Sequence, residues 1–244
     1  MRGFGTERIE DDLEILFPNA RLARMDLDST AQKTRYVEIL NDFDDHKIDI
    51  LVGTQMVTKG LDFDNVSVVG ILSADNLISF PDFRAYERSF QQMTQVSGRA
   101  GRRGKQGKVI IQTYQPYHQA IRDAMANNYL SMYKSQIVER RVFKYPPYYR
   151  LINITVRHQV EETVSQAAAM FASLLRERFG SRVMGPEFPS VARIRNQFLK
   201  KIMLRFAVGE PIGEGKRIIM ELAEKVLGEK SFARVQIIFD VDPQ

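Results

Sequence analysis

Two adjacent prolines, in Tyr145-Pro146-Pro147-Tyr148, cut the sequence into stretches of different hydrophobic rhythm. A proline pair cannot continue a helix and drives the residue before it out of the helical region, so the helix read over residues 127–141 must end there. Upstream, short apolar runs at residues 21–25, 48–52, 66–72 and 109–113 read as strands. The last three are almost unbroken Val/Ile/Leu runs, which predicts strands covered on both faces, as in a parallel sheet. Amphipathic helices are expected over residues 6–17, through Tyr36, Val37, Leu40 and Phe43 behind a Ser29 or Thr30 cap, and over residues 83–100. Downstream, strand 151–157, helix 161–179, strand 183–186, strand 198–206, helix 215–227 and strand 235–241 follow in turn. That order is the split β-α-β-β-α-β, ferredoxin-like pattern. The expectation is an α/β parallel-sheet domain over residues 1–144 and a small α+β domain over residues 145–244.

Composition narrows the function classes. With no cysteine and only His46, His118 and His158, scattered, the chain has no disulfide and no plausible structural zinc, and no metal site is expected. Its apolar runs are too short to span a bilayer, and the first residues lack the apolar core of a signal peptide, so a cytoplasmic protein with no membrane partner is expected. A net charge of +5 suits an anionic partner without demanding one.

The most specific stretch is Gln95-Val96-Ser97-Gly98-Arg99-Ala100-Gly101-Arg102. Gln95, Arg99 and Arg102 stand at i, i+4 and i+7, one face of a helix. Two glycines there cost helix stability, and so let the backbone approach something or end the helix. Paired guanidinium groups suit a phosphate because they bind it bidentately and stay charged. A second stretch runs from the strand at residues 48–52 into Gly53-Thr54-Gln55-Met56 and Lys59-Gly60-Leu61-Asp62-Phe63. Loops at the carboxyl ends of strands in open α/β sheets are where ligands bind. There Thr54 can bond a phosphate, and Asp62 a ribose or an arginine.

The first stretch resembles motif VI of superfamily 2 helicases and the second motif V. Gly5-Thr6-Glu7, Phe17-Pro18, Asp26-x-Asp28-x-Thr30 and Pro81-Asp82-Phe83-Arg84-Ala85-x-Glu87-Arg88 occur with them in order. Pro146-Pro147-Tyr148, Gly185-Pro186 and Asp240-Val241-Asp242-Pro243 complete a set that is similar to the primosomal protein N′ (PriA) family of replication-restart helicases. Leu61 stands where that family often has His. The resemblance implies a second RecA-like motor lobe. In it Gln95, Arg99 and Arg102 act in catalysis, and Gly60, Asp62 and the two arginines face ATP. Thr54, Gln55 and Lys59 contact DNA. It also implies 3′-to-5′ unwinding by the full-length protein, with ATP and Mg2+ held mainly by a first lobe and zinc in an upstream cysteine-rich module. No G-x-x-x-x-G-K-[ST] and no D-E-x-H segment occurs in this chain, so it is read as a fragment without ATPase activity of its own.

In the second domain Arg193, Arg195, Lys200, Lys201 and Arg205 surround Phe198, which reads as a basic patch with an aromatic platform for single strands. The resemblance adds fork DNA, primosome proteins and the acidic C-terminal tail of single-stranded DNA-binding protein as partners. Tyr145, Tyr148 and Tyr149 are read as packing the domain junction, and His118 as structural. Two other readings remain open: the second lobe of a different superfamily 2 translocase, and a nucleic-acid-binding module without a motor role.

Overall fold

The structure, a computed structural model, describes residues 5–26, 33–54, 66–101 and 107–243. The chain divides into two units, residues 1–133 and 134–244.

The first unit is built from parallel strand pairs with crossover helices. In order come α1 (Thr6–Leu16), β1 (Leu22–Met25), α2 (Lys33–Asp44), β2 (Ile50–Gly53), β3 (Val68–Ile71), α3 (Ala74–Ile78), α4 (Ala85–Ser97), β4 (Lys108–Ile111) and α5 (Gln119–Met125). A sixth helix, α6 (Tyr129–Val142), follows. β1 pairs with β2 and β3 with β4, both in parallel, Leu22 standing opposite Ile50 and Val68 opposite Lys108. Two cores result. Met25 and Ile39 pack with Leu51 and Val66; Ala74, Phe90, Met93, Ile121 and Met132 pack with Ile71 and Ile111.

Coverage of the strands on both faces does not hold for β3 and β4. Their side chains alternate, with Val68 56% and Ile110 51% exposed while Ile71 and Ile111 face the core. In a four-residue strand successive side chains take opposite faces, and α4 and α5 supply apolar partners to one face only.

Polar ties fix the helices to the strands. The Thr6 hydroxyl donates to buried Asp26 at 2.5 Å, and Arg24 bridges Asp26 and Glu10 at 3.4 and 3.1 Å. Thr6 of the Gly5-Thr6-Glu7 motif and Asp26 thus join α1 to β1. Burial alone would raise the Asp75 carboxyl, but the Tyr114 N–H and the Thr113 hydroxyl outweigh it and hold that group below the ordinary carboxylate range. Buried Asp123 accepts from the Tyr86 hydroxyl at 2.6 Å and from the Gln119 amide at 2.8 Å. Asp123→Ala strands that hydroxyl and is expected to cost about 1–3 kcal/mol, read as a lower midpoint in urea unfolding.

The second unit follows the expected order. After α6 come β5 (Tyr149–His158), α7 (Glu161–Phe179), β6 (Val183–Glu187), β7 (Arg193–Ile194), β8 (Gln197–Ala207), α8 (Ile212–Leu227) and β9 (Gln236–Val241). The sheet runs β6-β8-β5-β9 with every neighbouring pair antiparallel, and β7 pairs with β8. This is ferredoxin-like topology, each β-α-β unit split by a strand of the other. α7 carries Glu161 and Glu162 in its first turn and Arg176 and Arg178 in its last, both favourable to the helix dipole. Gly180, at φ 57°, stops it. α7 and α8 bury Phe171, Leu175 and Ile219 against Ile152, Ile154, Val156, Ile202, Leu204 and Phe206. Asp242, from the terminal Asp240-Val241-Asp242-Pro243 run, bonds the Leu151 carbonyl through its N–H and Arg150 through its carboxylate. Its carboxyl is held low chiefly by that arginine.

Candidate nucleotide and nucleic-acid interfaces

The first candidate site is the turn after α4. Continuous α-helix stops at Ser97, so Gln95 is helical and exposed while Arg99 is not helical and is half-buried. The Gly98 N–H bonds back to Thr94, but the Arg99 and Ala100 N–H groups bond to Val96 and Ser97, a tighter i→i+3 winding. The i, i+4 spacing of Gln95 and Arg99 therefore passes through a 3₁₀-type turn. The chain next adopts φ 73° at Gly101, whose N–H bonds the Val66 carbonyl at 3.0 Å beside the entry to β3. Gly107 crosses this segment so closely that a Cβ there would lie 2.2 Å from the Gly101 nitrogen and 2.3 Å from the Ala100 carbonyl carbon. Backbone contacts of Gly101 and Gly107 thus hold the turn that carries Arg99. Arg102 lies outside the described residues.

Thr54, exposed, directly follows the carboxyl end of β2. Gln55, Lys59, Gly60 and Asp62 lie outside the described residues, as do Asp28 and Thr30 of the earlier motif. Before α4, Asp82 accepts from the Arg84 N–H at 2.7 Å and pairs with Arg88 at 3.0 Å, so the Pro81-Asp82-Phe83-Arg84 run shapes the helix entry.

The second site is the β7–β8 hairpin. Its two turn residues, Arg195 and Asn196, have φ 46° and 64°. This is the left-handed pair of a two-residue hairpin turn, uncommon for an arginine. The Arg193 guanidinium bonds the Asn196 side chain and lies 4.9 Å from the Phe198 ring centroid. Phe198 also packs against the core of the unit. Lys200 Nζ stands 3.4 Å above the Phe188 ring. Because side chains alternate along β8, Lys200 shares a face with Phe198 and Ile202, whereas Lys201 lies on the opposite, helix-free face with Arg205. Arg205 donates to the Phe143 carbonyl at 2.8 Å and stacks 4.6 Å from Tyr145. His118 accepts from the Ala120 N–H and caps α5.

Sequence reasoning passed over Phe188 and Arg157. Phe188 is 43% exposed and holds Lys200. Arg157, on the helix-free face of β5, bonds the Gln236 side chain at 2.6 Å. Period-2 alternation along the strand at residues 151–157 was the signal available for Arg157. Among the described residues no helix is long and apolar enough to cross a membrane, and no group of metal-ligating side chains converges.

Residues 5–104 match the helicase conserved C-terminal domain, and residues 141–244 match the primosomal protein N C-terminal domain. The chain is 39% identical over 99% of its length to replication restart protein PriA of Bacillus subtilis, of which it covers 30%. The same protein of Treponema pallidum is 38% identical over 99% of the chain, with 36% of the relative covered. That of Haemophilus influenzae is 35% identical over 99% of the chain, with 33% covered. The chain belongs to the PriA family. It spans about a third of the length of these curated relatives. The parallel strand pairs are those of a RecA-like helicase lobe, and the PriA C-terminal domain is the ferredoxin-like unit that follows it.

Proposed function

We propose that the chain supplies the second motor lobe and the accessory domain of an ATP-dependent superfamily 2 DNA helicase. That helicase unwinds 3′ to 5′ and acts in replication restart and primosome assembly at stalled forks. The observation that most supports this reading is the turn after α4, which backbone contacts of Gly101, Gly107 and the Val66 carbonyl hold. A turn pinned in that way fixes where the Arg99 side chain leaves the backbone, which favours the positioned charge that phosphoryl transfer demands.

In this reading Arg99, Arg102 and Gln95 act on the triphosphate, with Gly60 and Asp62 beside them. ATP and Mg2+ are held mainly by a first lobe, and bound ATP supplies the phosphoryl-transfer free energy. The half-buried Arg99 fits a phosphate, and no residue of this chain is assigned to the metal. Thr54, Gln55 and Lys59 contact the DNA backbone in the motor lobe; Arg195, Lys200 and Lys201 do so in the accessory domain, Phe198 acting by holding Arg193. The division of labour runs at residues 1–144 and 145–244. Branched or single-stranded DNA, primosome proteins and the tail of single-stranded DNA-binding protein are the proposed partners, in a cytoplasmic setting.

The purified chain, given ATP, Mg2+ and forked DNA, is expected to release no phosphate above background, because it carries the arginines but no P-loop. DNA-stimulated turnover by the chain alone contradicts the assignment of half an active site.

A further inference from the structure

We infer that the β7–β8 hairpin grips the phosphate backbone of duplex DNA and does not stack on the bases of a single strand. The inference rests on the proposed reading of this hairpin as a DNA site, and it names which form of DNA the site takes.

Three observations carry it. First, each ring already carries one of the protein's own cations: Arg193 lies 4.9 Å from the centroid of Phe198, which also packs against the core, and Lys200 sits 3.4 Å above Phe188. A base stacks only on a ring face that is free, and base stacking is the main source of affinity for single strands. Second, the hairpin cations have no carboxylate partner. Arg21, Lys47, Arg88, Arg150, Arg182 and Arg217 each pair with an acid. Among the described residues Arg193, Arg195, Lys200 and Lys201 do not, although Glu187 stands opposite Lys201 in the sheet register. Third, the cations are spread around the strand. Arg195 is at the tip, and Lys201 lies on the helix-free face opposite Thr155, with Arg157 one strand position from Thr155's neighbour Val156.

Cations set against the protein's own rings suit a target whose bases are already stacked inward and whose charge lies outside. Duplex DNA presents that surface, at twice the linear charge of one strand. Cation–π contacts to Phe188 and Phe198 reduce the freedom each long side chain must give up on binding.

The test titrates the full chain with a blunt duplex and with oligo(dT) across a salt series, by fluorescence anisotropy. Arg195→Ala, Lys201→Ala and Phe188→Leu all alter partly or fully exposed side chains, and circular dichroism checks that each variant folds. Arg195→Ala and Lys201→Ala are expected to weaken duplex binding and to lower the slope of log K against log salt by about 0.9 each, one phosphate contact apiece. Phe188→Leu frees Lys200 and is expected to weaken oligo(dT) binding no more than it weakens duplex binding. If that variant weakens oligo(dT) binding by roughly five- to a hundred-and-fifty-fold, the loss of one stacked base, while duplex affinity holds, the hairpin is a single-strand platform and the inference is overturned while the DNA site stands. If the two cation variants lower oligo(dT) affinity and leave duplex affinity unchanged, the inference is overturned while the DNA site stands; if they leave both affinities and both salt slopes unchanged, the hairpin is no DNA site and both the inference and the reading beneath it fall.

Discussion

Gly185→Ala is expected to unfold the second unit or to lower its stability by at least several kcal/mol, while the first unit keeps its secondary structure. Gly185 has φ 87°, a conformation that costs any L-residue energy. A Cβ built there lies 2.5 Å from the Lys201 carbonyl oxygen and 3.3 Å from the Glu187 nitrogen. Both are backbone atoms, so neither can rotate away. The clash falls where β6 shifts register against β8, between Met184 and Glu187, so relieving it means peeling an edge strand from the sheet. Differential scanning calorimetry of the full chain should show one transition lost or moved far down. A variant melting with both transitions unchanged would mean that this β6–β8 approach is not as tight as described. Surface changes such as Lys201→Ala are a useful contrast, since they usually move stability by less than about 0.5 kcal/mol.

The second large effect is kinetic. In the complete protein, Arg99→Ala and Arg102→Ala are each expected to lower kcat for DNA-stimulated ATP hydrolysis by about 10³-fold or more, with a much smaller change in nucleotide KM. A guanidinium that meets charge developing in the transition state lowers kcat, whereas one that only binds ground-state phosphate raises KM. The backbone lock around Arg99 bears on which of these applies. A turn fixed by Gly101, Gly107 and the Val66 carbonyl spends little reaction free energy on reorganising its backbone. Arg99→Lys keeps the charge but loses the planar fork, and it should recover little of the rate.

Much of the second unit was legible in the sequence because its elements are long and strongly patterned. Helix α7 and strands β5, β8 and β9 carry apolar residues at the periods their geometry requires, and Pro146-Pro147 marks where β5 can begin. What escaped was short. β7 has two residues, too few for any period, and α3 and α5 have five and seven. The reading of β3 and β4 erred for a different reason. Val68 and Ile110 are as apolar as the side chains that face the core, so composition cannot tell an open strand face from a covered one. At the sites, residue types were readable but engagement was not. Phe198 in a cluster of cations reads as a platform, and only coordinates show that Arg193 and the core already occupy it. Phe188, ten residues from Phe198, becomes part of the same array only once β8 folds back beside it.

The central claim is that this chain contributes arginines to a nucleotide held by another lobe. The direct measurement is complementation: a separately produced first lobe carrying the P-loop is mixed with this chain, and phosphate release is followed with forked DNA and ATP. Turnover is expected from the mixture that neither piece gives alone, and Arg99→Ala with Arg102→Ala in this chain is expected to abolish it. Turnover that persists undiminished with both arginines removed would contradict it.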